Sequence, residues 1–200
     1  QWQPNMVGGD LKLWLRNNVS INVAEWRDSS GNGNDITQET SGDQAAVVDG
    51  GLDFEVSEAD HYDIANDIVV ASEEAFMMFA VIKIESTDAQ NNLLGTSDGN
   101  VFIEFQTTVR MRLKTAAGTD TIQFASGTFG AGSKMVIAVQ RKSGSTGEWV
   151  VYKNGGDPLA EASLPTGDGN NTGAITFNVV GMRNDDRHFD GVIYEMLVYD

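Results

Sequence analysis

A chain of 200 residues with 29 acidic and 13 basic side chains has a formal charge of −16 and is poorly suited to phosphate backbones, where Lys and Arg supply much of the affinity. The expected partners therefore exclude nucleic acid. An apolar content of 40% with four Trp suffices for one hydrophobic core, the lack of Cys removes thiol and disulfide chemistry, and the longest apolar run, 75–82, is far short of the roughly 20 residues needed to span a bilayer.

Period-two alternation recurs along the chain between clusters of Gly, Asn, Asp and Ser, and only three Pro interrupt it. That pattern predicts many short antiparallel strands and little helix. Residues 1–10 read as an N-terminal extension of a single domain covering 1–200, and no charged-then-apolar leader precedes Leu11. The first strand is predicted over 11–15 and the second over 23–26. The second runs into Asp28-Ser29-Ser30-Gly31-Asn32-Gly33-Asn34-Asp35, where Gly31 and Gly33 supply positive φ and the polar side chains hydrogen-bond nearby main chain, so the segment reads as a constrained turn. Further strands are predicted over 46–48, 52–56, 62–64, 75–84, 92–94, 101–106, 109–114, 121–124, 134–141, 148–153, 175–180 and 192–199. Turn-rich breaks fall at 96–100, 143–147, 154–157 and 166–173.

Leu11-Lys12-Leu13-Trp14-Leu15, the turn that follows Trp26, Val150-Val151-Tyr152-Lys153-Asn154-Gly155 and the closing run Phe189 to Asp200 together resemble the laminin-G-like, concanavalin-A-like jelly rolls over nearly the whole chain. The resemblance implies an all-β fold, a two-sheet antiparallel jelly-roll sandwich, serving as a non-catalytic recognition or structural module on an exterior surface. With the opening Trp2-Gln3-Pro4, the chain is similar to domains of bacteriophage virion proteins and secreted bacterial proteins. The first implied function is a virion-exterior protein, a capsid decoration protein or a head or tail fibre component, partnered by other virion or surface proteins, by glycans or by copies of itself. The alternative is a carbohydrate-binding module of a secreted or cell-surface bacterial protein, and a family-16-like glycosidase comes third.

The glycosidase reading rests on Glu58-Ala59-Asp60-His61-Tyr62-Asp63, which resembles the Glu-x-Asp-x-x-Glu strand of family-16 enzymes with a shorter last carboxylate. Retaining hydrolysis needs two carboxyls about 5 to 5.5 Å apart, and Asp63 sits about one methylene too far back. The segment reads more simply as an edge strand. His61 and His188 lack metal-ligand spacing, no G-x-S-x-G elbow is present, and the glycines of 127–132 lack a P-loop Lys. Calcium has a chemical case, because hard cations take several oxygen ligands. The candidate clusters are Asp28, Asn32, Asn34 and Asp35; Asp98 and Asn100; and Asn184, Asp185 and Asp186, each also explained by turn formation.

One polar surface stands out. Val101, Ile103 and Phe105 share a strand face, leaving Glu104 and Gln106 opposite, while Arg110, Arg112 and Lys114 alternate with inward Val109, Met111 and Leu113. Thr121 and Gln123 extend the stripe. Glu104, Gln106, Arg110, Arg112, Lys114 and Gln123 are therefore the candidate ligand- or partner-binding residues, with cross-strand pairing of Glu104 to an Arg as the competing explanation. Trp2 and Trp149 are candidates for stacking on sugar faces.

Overall fold

The computed structural model describes residue 4 and residues 10–86, 90–184 and 187–200. Trp2, Asp185 and Asp186 lie outside the described residues. Alternation builds two packed antiparallel sheets. One contains β1 (Leu11–Leu15), β4 (Ala46–Val48), β5 (Gly51–Phe54), β7 (Phe76–Ile84), β12 (Lys134–Arg141), β13 (Trp149–Lys153) and β18 (Gly191–Tyr199). Its order is β13-β12-β7-β18-β5-β4, and β1 also pairs with β18. The second contains β2 (Glu25–Trp26), β3 (Ile36–Thr37), β6 (Tyr62–Val70), β8 (Gln90–Gly95), β9 (Phe102–Gln106), β10 (Arg110–Thr115), β11 (Gly118–Gln123), β14 (Ser163–Thr166) and β15 (Ile175–Val180). These run β14-β11-β10-β9-β8-β15-β6-β3-β2. A small hairpin of β16 (Met182–Arg183) and β17 (Arg187–His188) completes the strands, and among the described residues there is no α-helix, only 3-10 geometry such as the turn at Ser41–Asp43.

The core fills the space between the sheets with one apolar face of each strand, as two-sheet packing requires. Phe54 contacts Tyr62 and Phe189 edge-on, and Phe76 contacts Trp149 and Phe177. Trp26 is fully buried and Trp14 is 8% exposed. Trp149 is buried too, which removes it as a sugar-stacking surface. Several strands differ in extent from the sequence pattern. The strand predicted over 23–26 is reduced to β2, the one predicted over 62–64 continues through a register shift to Val70, and β3, β14, β16 and β17 have no counterpart among the predicted strands.

The turn after Trp26 is organised by one carboxylate. Asp28 Oδ1 accepts the Trp14 and Ser30 N–H groups, and Oδ2 accepts the Ser30 hydroxyl and the Asn34 N–H. Asn32 Nδ2 donates to Leu11 O at 2.5 Å and Asn34 Nδ2 to Lys12 O at 2.8 Å, so the turn is tied to β1. Gly31 and Gly33 take φ of 96° and 72° with open space where a Cβ would point. Substitution there strains the backbone without a clash. Gly31→Val and Gly33→Val should each cost about 1 to 3 kcal/mol, read as a lower Tm, while Asn32→Ala costs less; wild-type Tm in both glycine variants would refute backbone strain as their role.

Candidate functional site

The predicted basic stripe lies on the outer face of the nine-stranded sheet, where Met111 and Leu113 enter the core and their neighbours point away. Register places Thr121, Arg112, Glu104 and Asn92 in one row across β11, β10, β9 and β8. The next row is Thr119, Lys114, Phe102 and Gly95, and on the other side Arg110 faces Gln123. Gln106 is half-buried at the end of β9.

The residues of the stripe hold one another in place. Arg110 Nε donates to Gln123 Oε1 at 3.1 Å, and Lys114 Nζ donates to Gly99 O at 3.0 Å. Glu104 was expected on an open polar face, yet it is fully buried between two arginines: Arg112 Nη1 at 3.3 Å from Oε1 and Arg183 Nε at 2.6 Å from Oε2. The physical reason is the β16–β17 hairpin, which packs on β8 and carries Arg183 across to Glu104 and Phe102 of β9. Its close approach depends on Gly95, where a Cβ would stand 2.6 Å from Met182 O. Beneath the arginines Phe102 is buried outside the main core, with Arg183 Cζ 4.0 Å, Arg112 Cζ 5.2 Å and Lys114 Nζ 5.9 Å from its ring centre. Such contacts favour the cations over an aromatic face. The result is a platform of half-buried cationic and amide side chains on an otherwise acidic protein, with Arg110, Gln123, Arg112 and Lys114 held by hydrogen bonds and Gln106 beside them at the end of β9.

Sequence reasoning missed Arg183. The available signal was the run Arg183-Asn184-Asp185-Asp186-Arg187, whose turn residues lie between two arginines that end up paired across a hairpin.

The other candidate residues are placed as follows. Both oxygens of Asp28 accept from the turn and from Trp14 N–H, and Asp35 Oδ1 accepts the Asp28 N–H, so these three oxygens serve turn geometry. Asp98 accepts the Thr96 hydroxyl, the Asn100 N–H and the Asn100 amide; the Thr96 hydroxyl first, then the Asn100 N–H, holds its carboxyl below the usual carboxylate range. Asn184 is exposed at a φ of 59°. The Glu58-to-Asp63 segment is divided by a turn with Ala59 at φ 62°, so Glu58 and Asp60 precede β6 and only Asp63 stands on it, exposed. The one-strand arrangement of family-16 carboxylates is therefore not built. His61 and His188, distant in sequence, come together with ring centres 6.0 Å apart and planes tilted by 57°.

No family model and no curated protein matches the sequence. Among solved structures, the sialidase of Trypanosoma rangeli is similar with a TM-score of 0.57 at 16% identity over 95% of this chain and 31% of its own. The chain thus spans about a third of the sialidase it matches. An α-L-arabinofuranosidase of family GH54 is similar with a TM-score of 0.55 at 14% identity, over 96% of this chain and 56% of its own. Domain 4 of AbnA, a GH43 extracellular arabinanase of Geobacillus stearothermophilus solved in complex with arabinotriose, is similar with a TM-score of 0.53 at 17% identity, over 96% of this chain and 93% of its own. At these identities the likeness is one of fold, and it establishes the chain as an antiparallel β-sandwich of the kind found in carbohydrate-active proteins.

Proposed function

We propose that the chain is a non-catalytic carbohydrate-binding domain of an exterior protein, with its ligand on the outer face of the nine-stranded sheet. The observation that carries this reading is the platform itself: Arg110, Gln123, Arg112, Lys114 and Gln106 present donors and acceptors in adjacent strand positions, and the bonds of Arg110 to Gln123, Arg112 to Glu104 and Lys114 to Gly99 O remove part of the ordering cost of binding. Planar guanidinium and amide groups suit the paired hydroxyls and ring substituents of a sugar. The end-to-end fold likeness to an arabinanase domain solved with arabinotriose supports the same reading. The virion-exterior function implied by the sequence resemblance has no counterpart among these neighbours, and the secreted carbohydrate-binding alternative takes precedence.

The test is a glycan array followed by calorimetry with arabinotriose, xylotriose and uronate-containing oligosaccharides. Arg110→Gln combined with Gln123→Ala should weaken the best ligand by about tenfold or more, equivalent to about 1.4 kcal/mol, while stability changes by less than about 1 kcal/mol, as is usual for surface polar pairs. Binding that survives this double variant would move the site off the platform. A blank array would overturn the carbohydrate reading.

A further inference from the structure

Beside β5, away from the platform, a cleft of about 310 Å³ is lined by Ser41, Gln44, Asp53, Glu55, Glu58 and Asp60, together with two small apolar residues. Strand alternation explains how the carboxylates gather there. Leu52 and Phe54 enter the core, so Asp53 and Glu55 point the other way. The chain then turns back at Ala59, and Asp60 Oδ2 accepts the Glu55 N–H at 2.8 Å.

Two carboxylate oxygens in this cleft have no partner. Asp60 is fully buried, and its Oδ1 receives no hydrogen bond; Asp53 Oδ1 is likewise buried and unpaired. Leaving an acceptor of this kind dry and unsatisfied is costly. No Lys or Arg lines the cleft to compensate. At its side, Asp53, Glu55 and Glu85 can each place one oxygen within 4.8 Å of the other two. Oxygens bound to one ion at roughly 2.3 to 2.6 Å stand at most about twice that far apart, so the three fit around a common centre. Lys83 donates to Glu85 Oε1 at 2.5 Å and offsets one charge, which leaves the group net negative. Burial first, and then neighbouring carboxylates, push the Asp53 and Glu55 carboxyls up from their usual values; burial does the same for Asp60.

We propose that this cleft is a calcium site, with Asp53, Glu55 and Glu85 supplying charged oxygens and the buried Asp60 carboxylate, Ser41 and Gln44 forming the wall that receives the remaining ligands or their bridging water. An all-oxygen donor set selects a hard cation over zinc or copper. Donors carried on a strand, a loop and the residue after β7 suit the variable geometry of calcium better than the strict octahedron of magnesium. The ion would tie the 55–60 loop to the ends of β5 and β7. This site is separate from the platform, and its existence does not depend on the carbohydrate reading.

The test uses the 200-residue chain stripped with EDTA and titrated with calcium chloride by calorimetry, with Tm measured in parallel. Saturable one-site binding is expected, with Tm raised by roughly 5 to 10 °C once free calcium is about 100-fold above Kd. Glu55→Gln, at a half-exposed position, should weaken calcium binding by at least tenfold, as should Asp53→Asn. If Asp53→Asn does not fold, Glu55→Gln decides the matter alone. The proposal is overturned by identical Tm in EDTA and in millimolar calcium with no saturable heat, or by calcium binding that Glu55→Gln leaves unchanged. Equal affinity for magnesium would overturn the choice of calcium.

Discussion

Replacing Arg141 with Met should lower stability by about 3 to 5 kcal/mol, the largest loss expected from any single substitution considered for this chain. Arg141 lies on β12, is fully buried and has no carboxylate bonded to it. Its Nε donates to Glu74 O at 3.0 Å, Nη2 donates to Ala71 O at 2.8 Å, and Nη1 donates to Gly173 O. Those carbonyls belong to the segment between β6 and β7 and to the residue leading into β15, so one guanidinium fastens a strand of the first sheet to two strand ends of the second. Burial pushes the guanidinium below its usual value, and the Glu74 carboxylate acts weakly against that shift. Met fills a similar volume and orphans all three carbonyls. Chemical denaturation should report the loss, with Tm lower by on the order of 10 °C. Arg141→Lys should recover only part of it, because an ammonium cannot span the same planar fork. A Met variant within about 1 kcal/mol of wild type would mean that water satisfies those carbonyls unaided.

The second large effect is expected at Glu104. Glu104→Gln removes a negative charge shared by Arg112 and Arg183 and should cost about 3 kcal/mol, the low end for breaking a buried pair. The low end applies because Arg112 and Arg183 keep 25% and 12% of their side-chain surface in solvent. The same change frees Arg112 on the platform and loosens the hairpin that Arg183 belongs to. Denaturation of the single variants and of Glu104→Gln with Arg112→Gln forms a cycle, and the double variant should lose less than the sum of the two singles. Strict additivity would show that the pair is not coupled.

Much of the architecture is legible in the alternation of side chains along the sequence. Strands 11–15, 46–48, 134–141 and 175–180 agree residue for residue with β1, β4, β12 and β15. β1, β12 and β15 alternate buried and less buried positions over most of their length, a pattern side-chain identity reports directly. β14 was invisible because Ser163, Leu164, Pro165 and Thr166 are all exposed, and an edge strand with no buried face leaves no period to read. The second half of β6 was hidden by Ala65, Asn66 and Asp67, which are exposed near the register shift against β15. At the candidate site, the alternation of Arg110, Arg112 and Lys114 is readable, and so is the cross-strand pairing of Glu104 with an Arg, which the structure shows for Arg112. The burial of Glu104 was not, because it depends on Arg183, 79 residues further along the chain. The Asp53 and Asp60 cleft was missed for a related reason: the tight return of the chain at Ala59 turns what read as a strand into a pocket wall.

The position of β18 governs how the molecule can be made. Its first residues, Gly191 to Ile193, pair with β5, its last, Met196 to Tyr199, pair with β1, and β7 runs along its other side. The last strand of the sandwich in chain order is therefore the central rail of the first sheet. Until β18 is in place, β5 and β7 have an open edge between them, β1 has no strand to join, and the core lacks Ile193, Met196 and Val198. Pairing at such sequence separation carries a loop-closure cost that must be met before the contacts form, which places this sheet among the slower-assembling topologies. In that interval the unpaired edges of β1, β5 and β7 are open to pairing with other copies, so the join made by β18 guards the first sheet against edge-to-edge association as well as completing its core.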